Sequence, residues 1–258
     1  MTNGRFDIDG ESAIVTGASS GIGEAIAKRY AAEGVNVAIC SREQANVDPV
    51  AEEINDGAFE GEALAVECDV TERSAVETFV ETTTDTFGGL DVLVNNAGAS
   101  FMAGFDDISP NGWQTIVDIN LTGTYHCMHE AGDALRDGGG AVINLASVAG
   151  QHGSPYMSHY GAAKAGVINL TTTIGNEWAS EGVRVNCIAP GFIATPGVAQ
   201  QMGVSADDID RSEVDRTIGM VDEIADIAQF LASPAASFMV GETITAKGTP
   251  RIGELETP

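Results

Sequence analysis

A serine, a tyrosine and a lysine stand at spacings that could serve acid–base chemistry. Ser147, Tyr160 and Lys164 lie within one stretch, SVAGQHGSPYMSHYGAAK. If residues 160–164 are helical, the i, i+4 spacing brings the phenol and the ammonium to one face. We expect the lysine charge to favour the phenolate and to lower the pKa of the tyrosine below about 10. The stretch alone is equally compatible with three ordinary surface residues.

The apolar run AVINLA, residues 141–146, determines where Ser147 lies. The run is typical of a buried strand, so the serine hydroxyl is expected at the carboxyl end of that strand. In an open parallel sheet, ligands bind along this edge. The sequence therefore predicts that Ser147 faces a ligand.

Strands and helices alternate along the whole chain. Strands are predicted at residues 13–16, 35–40, 63–68, 92–95, 141–146, 183–188 and 242–246, and helices near 22–33, 47–56, 72–87, 111–136, 159–181 and 220–232. This alternation is typical of an α/β fold with a parallel sheet and right-handed crossovers, and strands that are apolar on both faces indicate helices on both sides. We interpret residues 1–258 as one domain, in which the polar segment 192–219 forms a substrate lid.

The segment SAIVTGASSGIGEAIAKRYAAEG combines a strand, a tight turn and a helix. Its glycines have the spacing G-x-x-x-G-x-G, and the amides at the start of such a helix can bind a pyrophosphate. The strand before the turn and the helix after it supply the context that this motif requires. The expected cofactor contacts in this loop are Gly17, Ser19, Ser20, Gly21, Ile22 and Gly23.

The second predicted strand ends in the sequence CSREQ, at the position that distinguishes NAD from NADP. An acidic residue there binds the ribose 2′-hydroxyl, whereas an arginine accommodates a 2′-phosphate. This chain has Ser41 and Arg42, and its first acid at this tip is Glu43. We therefore expect both Ser41 and Arg42 to contact the cofactor and NADP(H) to be preferred over NAD(H), which remains possible.

The charge is the unusual feature of the composition. The chain has 38 acidic and 12 basic residues, a formal net charge of −26, and only three lysines. Such a surface repels nucleic acids and anionic membranes, and its self-repulsion is screened in molar salt, where the Debye length is about 3 Å. We therefore expect a halophilic, cytoplasmic protein that binds neither partner. Four scattered cysteines without a CxxC pair indicate buried, reduced thiols.

Six motifs in order resemble those of the short-chain dehydrogenase/reductase family. They are TGxxxGIG from residue 16, NNAG from residue 95, Asn120, Ser147, the YxxxK pair at 160 and 164, and the Pro190–Gly191 pair. The resemblance covers nearly the whole chain. It implies a Rossmann-like, doubly wound fold with a seven-stranded parallel sheet and helices on both faces.

The resemblance also implies roles for four residues. Tyr160 would be the general acid/base, Ser147 would polarise the substrate carbonyl, and Lys164 would lower the tyrosine pKa and hold the nicotinamide ribose. Asn120 would kink its helix and support a proton-relaying water. The further cofactor contacts implied by the resemblance, in addition to Tyr160 and Lys164, are Asp69, Val70, Asn96, Ala97, Gly98, Pro190, Gly191, Ile193 and Thr195.

These residues predict interconversion of a small-molecule carbonyl and a secondary alcohol. The presence of Tyr160 favours this reaction over reduction of a C=C bond, and the substrate could be a 3-oxoacyl thioester on an acyl carrier protein or coenzyme A. The alternatives are a sugar or polyol dehydrogenase, such as a glucose 1-dehydrogenase, and a non-catalytic NADP-binding regulator. The family also implies a homotetramer formed through the helix that contains Tyr160.

Several other residues leave room for alternatives. Arg136, Arg211 and Arg216 are the few candidates for a basic patch that would bind a thioester carrier. His152 and His159 could line the substrate pocket or be solvated. His126, His129 and Glu130 lack a third well-spaced ligand, so no metal site is expected. Where family members have a D-G-G-like turn, residues 246–249 of this chain read AKGT, which predicts an unusual C-terminal interface.

Overall fold

The computed structural model describes residues 4–8, 10–198, 203 and 206–249. Within these ranges, seven strands form one parallel sheet in the order β3-β2-β1-β4-β5-β6-β9. Their bounds are β1 Ser12–Thr16, β2 Asn36–Ser41, β3 Ala63–Glu67, β4 Val92–Asn95, β5 Gly140–Leu145, β6 Val183–Pro190 and β9 Thr243–Ala246. The predicted seven-stranded, doubly wound parallel sheet is confirmed.

Eight helices of the described chain cover the sheet. They are α1 Gly21–Ala32, α2 Gln44–Asp56, α3 Arg73–Phe87, α4 Pro110–Val117, α5 Gly123–Arg136, α6 Val148–His152, α7 Ser158–Trp178 and α8 Val221–Ala232. One apolar cluster unites one face of the sheet with α1, α2 and α8, and a second unites the other face with α3, α5 and the last turns of α7. The predicted helices on both faces are therefore confirmed.

The period-two geometry of a strand divides β1 between these clusters. Ala13 and Val15 are buried on the side of α1 and α8, whereas Ile14 is buried on the side of α3 and α5. A strand that is covered on both faces must be apolar at every position, which explains the run that the sequence shows. The Tyr30 hydroxyl donates to the Ala228 carbonyl oxygen at 3.0 Å and so ties α1 to α8.

The predicted helix over residues 111–136 is not continuous. A π-helical turn, Asp118–Thr122, separates α4 from α5, and the kink implied at Asn120 lies within it. The Asn120 Nδ2 atom donates to the carbonyl oxygens of Ala99 and Ile116 at 2.7 and 2.8 Å. Because π-turns leave backbone groups out of the regular ladder, a helical hydropathy pattern cannot reveal one.

Two short strands occupy the ends of the predicted lid. The strand β7, Phe192–Ile193, pairs in parallel with β8, Ile218–Gly219, outside the main sheet. Between them, residues 199–202, 204 and 205 lie outside the described residues. In the part of the chain that is described, no helix is long and apolar enough to cross a membrane. All four cysteines are free thiols in the interior.

Candidate active site

The site lies where the chain reverses direction across the sheet, between β1 and β4. Crossovers run outward to opposite sides at this point, so the loops after the two strands part and leave a crevice. Two adjoining cavities of about 430 and 440 Å³ occupy it. Both are bordered by Ile22, Asn96, Gly98, Ala99, Thr195 and Gly197, so they form one cleft.

The glycine loop depends on backbone geometry that a side chain would prevent. Gly17 has a φ of 63°, and a Cβ atom there would lie 2.8 Å from Cα of Ala97. The Asn96 Nδ2 atom donates to the carbonyl oxygens of Thr16 and Gly17, both at 2.9 Å. The Thr16 hydroxyl oxygen accepts the amides of Asn96 and Ala97 at 3.0 Å. The loop after β4 therefore holds the glycine turn in place.

Ser147, Tyr160 and Lys164 border the same cavity, as the sequence predicts. Ser147 follows β5 and caps α6, and its Oγ atom accepts the Ala149 amide at 3.1 Å. Tyr160 and Lys164 lie one turn apart on α7, with the lysine Nζ atom 5.7 Å from the centre of the tyrosine ring. The structure thus gathers a hydroxyl, a phenol and an ammonium at the carboxyl edge of the sheet.

The expected lowering of the tyrosine pKa is not found. Burial raises the pKa of Tyr160 above its ordinary value of 10, and a side-chain hydrogen bond with Ser147 opposes this only in part. The lysine Nζ atom is directed instead to the Leu145 carbonyl oxygen, to which it donates at 2.6 Å. Desolvation therefore outweighs the lysine charge, and the phenol keeps its proton at neutral pH.

Lys164 carries its charge at a cost. The side chain is 4% exposed, and desolvation lowers its pKa from 10.5 to about 8. Below that pH the residue is an ammonium with one carbonyl partner in a nearly closed environment. Such strongly shifted groups in a cleft are typical of functional sites.

Asn120 contributes a buried acceptor without a partner. Its Nδ2 atom makes the two bonds described above, whereas its Oδ1 atom is buried and has no hydrogen-bond partner. A Cβ atom on Gly98 would lie 2.8 Å from this oxygen and 3.5 Å from the Lys164 Nζ atom. Because an unsatisfied buried acceptor is costly, the oxygen and the lysine together border a space suited to a polar molecule.

Polar groups surround the other end of the cleft. Ser41 and Arg42 at the end of β2 border the larger crevice region together with Asp69 and Val70, which follow β3. The Asp69 carboxylate accepts the Thr71 amide and hydroxyl at 2.9 and 2.8 Å, which fixes its loop. The Arg42 side chain is exposed and has no ion pair with any described residue.

One predicted cofactor residue does not border the cleft. Gly23 is buried in α1, where a Cβ atom would lie 2.4 Å from Nδ2 of Asn96 and 2.5 Å from the Gly17 carbonyl oxygen. Its role in this structure is to permit close packing of the helix against the loop after β4. The other predicted residues border one or both cavities: Gly17, Ser19, Ser20, Gly21, Ile22, Ser41, Arg42, Asp69, Val70, Asn96, Ala97, Gly98, Asn120, Ser147, Tyr160, Lys164, Pro190, Gly191, Ile193 and Thr195.

Sequence reasoning missed several residues of the cleft. Ala99 and Ser100 continue the NNAG motif, and their place directly after it could have revealed them. Glu43 and Asn46 border the end near Arg42. Thr16 does not border it but organises its floor through the hydrogen bonds above.

The histidines have structural surroundings. His159 is fully buried and packs edge-on against Phe101, with ring centres 4.3 Å apart, so it does not border either cavity. The His126 Nδ1 atom lies 3.0 Å from the Val70 carbonyl oxygen, and Glu130 pairs with Arg73 at 2.6 Å. Among the described residues, no three histidine, cysteine, aspartate or glutamate side chains are grouped to hold a metal ion.

The residues of the cleft suit a dinucleotide. Glycine contacts that exclude a Cβ atom, the amides at the start of α1 and an arginine at the tip of β2 are the groups that bind its pyrophosphate and ribose. The lysine and the unpaired Asn120 oxygen lie at the opposite end. The combined cavities are of a size that ordinary ligand pockets have.

Known proteins resemble this chain over nearly its full length. The model of the family described as enoyl-(acyl carrier protein) reductase matches residues 17–248. A 3-oxoacyl-[acyl-carrier-protein] reductase from Synechocystis sp. is 40% identical over 239 residues, which are 92% of this chain and 95% of that protein.

Solved structures have the same fold. A short-chain type dehydrogenase/reductase from Mycobacterium marinum has a TM-score of 0.85 at 33% identity, and the match covers 95% of this chain and 96% of the other. A variant of actinorhodin polyketide ketoreductase with NADPH has a TM-score of 0.82 at 30% identity, covering 93% and 97%. The likeness therefore extends over the entire sheet and the cleft.

Proposed function

Since this chain belongs to the short-chain dehydrogenase/reductase family of oxidoreductases, we propose that it interconverts a carbonyl and a secondary alcohol with NADP(H). The observation that carries the proposal is the shared cavity of Ser147, Tyr160 and Lys164 with the unpaired Asn120 oxygen. A bound nicotinamide would supply or accept the hydride. A pure binding protein has no need for a protonated phenol and a buried ammonium in the same cavity.

Tyr160 is the proposed proton donor in the direction of reduction. Its raised pKa keeps the phenol protonated at neutral pH, so it can pass a proton to the carbonyl oxygen as the alcohol forms. The Ser147 hydroxyl donates a hydrogen bond to the same oxygen and stabilises the negative charge that develops there. Both groups act on a substrate that the walls of the cavity hold away from bulk water.

Lys164 and Asn120 are proposed to supply and replace that proton. At pH 7 the lysine is charged, and its ammonium favours the transient phenolate after transfer. The Asn120 Oδ1 atom can accept a hydrogen bond from a water between it and the lysine, which would connect the buried pair to solvent. This arrangement restores the phenol proton after each turnover.

Arg42 supports the choice of NADP(H). It is a cation without an acidic partner among the described residues, at the tip of β2, where a 2′-phosphate would lie. In a chain with 38 acids, an unpaired arginine at this position is unusual. Glu43 beside it is the competing acid that could instead favour NAD(H).

A 3-oxoacyl thioester is the proposed substrate class. The similar Synechocystis protein carries that activity in its name, and the related ketoreductase structure carries NADPH. The protonated Tyr160 suits reduction of a carbonyl rather than of a C=C bond. The segment 192–219 would close over the substrate as a lid, held at its ends by the paired strands β7 and β8.

A homotetramer through α7 is the proposed assembly. The exposed face of this helix carries small side chains, among them Ala162, Ala165 and Asn169, which permit close approach of a second helix. Light scattering after gel filtration in molar KCl gives the mass directly. A monomer under these conditions would refute the assembly and leave the chemistry untouched.

The test of function is a substrate panel in molar KCl. Acetoacetyl-CoA, simple ketones and glucose would be offered with NADPH or NADH for reduction, and with NADP or NAD for oxidation. We expect reduction of the 3-oxo compound with NADPH; turnover of glucose alone would establish the sugar dehydrogenase instead. Tyr160→Phe should abolish turnover while NADPH still binds, measured by its fluorescence, whereas Arg42→Ser should raise the KM for NADPH about tenfold and leave that for NADH little changed.

A further inference from the structure

Lys247 is a cation without an acidic partner in a chain that pairs most of its basic side chains. The residues that contact at least one carboxylate are Lys28, Arg29, Arg73, Arg136, Arg211 and Arg216. Within the described ranges, Lys247 has neither an ion pair nor a side-chain hydrogen bond, a condition it shares with Arg5 and Arg42. Arg42 borders the cofactor end of the cleft, and Lys247 borders a cavity beyond its other end.

This second cavity, of about 250 Å³, lacks acidic residues. Its described walls are formed by Val148, His152, Gly153, Gly191, Phe192, Thr217, Lys247 and Thr249. In a chain with 38 acidic and 12 basic residues, a wall with a lysine and no carboxylate is a local reversal of the protein's charge. Such a cavity concentrates anions, and the hydroxyl and imidazole groups around it can add hydrogen bonds.

The backbone fixes the position of this lysine. The Gly191 amide donates to the Ala246 carbonyl oxygen at 2.8 Å, and a Cβ atom on Gly191 would lie 2.9 Å from Cβ of Lys247. Two residues later, the Thr249 amide donates to the Arg216 carbonyl oxygen at 3.3 Å. The base of the side chain is therefore held on both sides, which reduces the entropy lost when it binds a ligand.

The lysine cavity adjoins the reacting groups. Gly191 borders both this cavity and the one that contains Tyr160. Val148, on the wall of the lysine cavity, directly follows Ser147 in the chain, and consecutive Cα atoms are about 3.8 Å apart. A substrate whose carbonyl lies at Ser147 would thus reach the lysine cavity within a few bonds.

We propose that Lys247 is a specificity-determining residue that binds an anionic group, a carboxylate or a phosphate, near the reacting carbonyl of the substrate. This inference rests on the proposed carbonyl chemistry and narrows its substrate class. The arginines expected to bind an anionic carrier do not form a basic patch, because Arg136, Arg211 and Arg216 are each paired with acids. Lys247 stands where family members have an acidic D-G-G-like turn, so this preference would distinguish the chain from them.

Two pairs of substrates test the proposal and identify the anion. The first pair is 3-oxobutanoate and its methyl ester, which differ in a carboxylate; the second is acetoacetyl-CoA and the N-acetylcysteamine thioester, which differ in the phosphates. We expect Lys247→Met to raise the KM of the anionic member of at least one pair about tenfold, with kcat little changed and the neutral member unaffected. Lys247→Arg should restore most of the difference, and Arg5→Gln, which removes a remote charge, should change nothing.

Inorganic phosphate gives a second readout. It should inhibit the wild type competitively against the neutral ketone, and this competition should be lost in Lys247→Met; competition only against NADPH would instead point to the Arg42 end. Charge dependence in the first pair identifies a carboxylate and in the second a phosphate, and either supports the proposal. Equal effects of Lys247→Met on charged and neutral substrates would overturn it. If the wild type reduces no ketone in either pair, the proposed function itself fails.

Discussion

Replacing Lys164 with methionine is expected to stabilise the protein at neutral pH while it abolishes turnover. The ammonium is 4% exposed, donates to a single carbonyl oxygen, and has a pKa lowered by desolvation from 10.5 to about 8. Methionine has a similar length and no charge, so it fills the space without the cost of desolvation. The gain in stability and the loss of function have the same origin.

The magnitude follows from linkage between protonation and folding. A lysine whose pKa falls from 10.5 to about 8 on folding disfavours the folded state by about 3 kcal/mol at pH 7. Removing the ammonium leaves the Leu145 carbonyl oxygen without its donor, which costs about 1–2 kcal/mol. The variant should therefore be about 1–2 kcal/mol more stable than the wild type at pH 7.

The sign of this difference depends on pH. Between the folded pKa of about 8 and the unfolded value of 10.5, the unfolded chain binds more protons, so the wild type gains stability as the pH rises. At pH 9.5 the penalty falls to about 1 kcal/mol, and the variant should lose its advantage. Buried thiols with raised pKa values, such as Cys127 and Cys187, act in the opposite direction above about pH 9, but they are present in both proteins and largely cancel in the difference.

Urea unfolding of both proteins at pH 7 and 9.5, at one KCl concentration, measures the effect. Lys28→Met is the matched control, because this ammonium lies between Glu24 and Glu53 and its pKa is raised. Its removal should lower stability slightly at pH 7. A difference between wild type and Lys164→Met that is the same at both pH values would show that Lys164 is not a desolvated cation, and the reasoning would be wrong.

Two further predictions test the cleft and the surface. Gly98→Ala should destabilise the protein by about 1–3 kcal/mol and reduce turnover, because the new Cβ would lie 2.8 Å from the anchored Asn120 Oδ1 atom, whereas Gly138→Ala, with open space around it, should do neither; a fully active Gly98→Ala would contradict the packing described at Asn120. The free energy of unfolding should rise steeply as KCl increases to molar concentration, because salt screens the net charge of −26; full stability in dilute buffer would refute the halophilic hypothesis.

The sheet and its helices could be predicted because local sequence controls them. The runs apolar on both faces correspond to strands that are buried on both sides, and all seven lie in the predicted order of strand and helix. The glycine loop was recognisable for the same reason, since Gly17 has a positive φ that other residues rarely adopt. These features depend on residues that are neighbours in the chain.

Features that depend on distant contacts could not be predicted. The π-turn at Asn120 has no signature in a helical pattern, and Gly23 proved to be a packing position because Asn96, far away in the chain, lies against it. The pKa of Tyr160 moves in the opposite direction to the expectation because the nearby lysine donates to a strand carbonyl and burial dominates.

The sequence alone determined the types of group that the site contains and the order in which strands deliver them. Tertiary structure decided their electrostatic state, because desolvation and pairing are properties of the assembled surroundings rather than of residue type. The same holds for the basic residues. Arg211 and Arg216 have acid partners that their positions in the chain did not reveal, whereas Lys247 is left facing a cavity without acids.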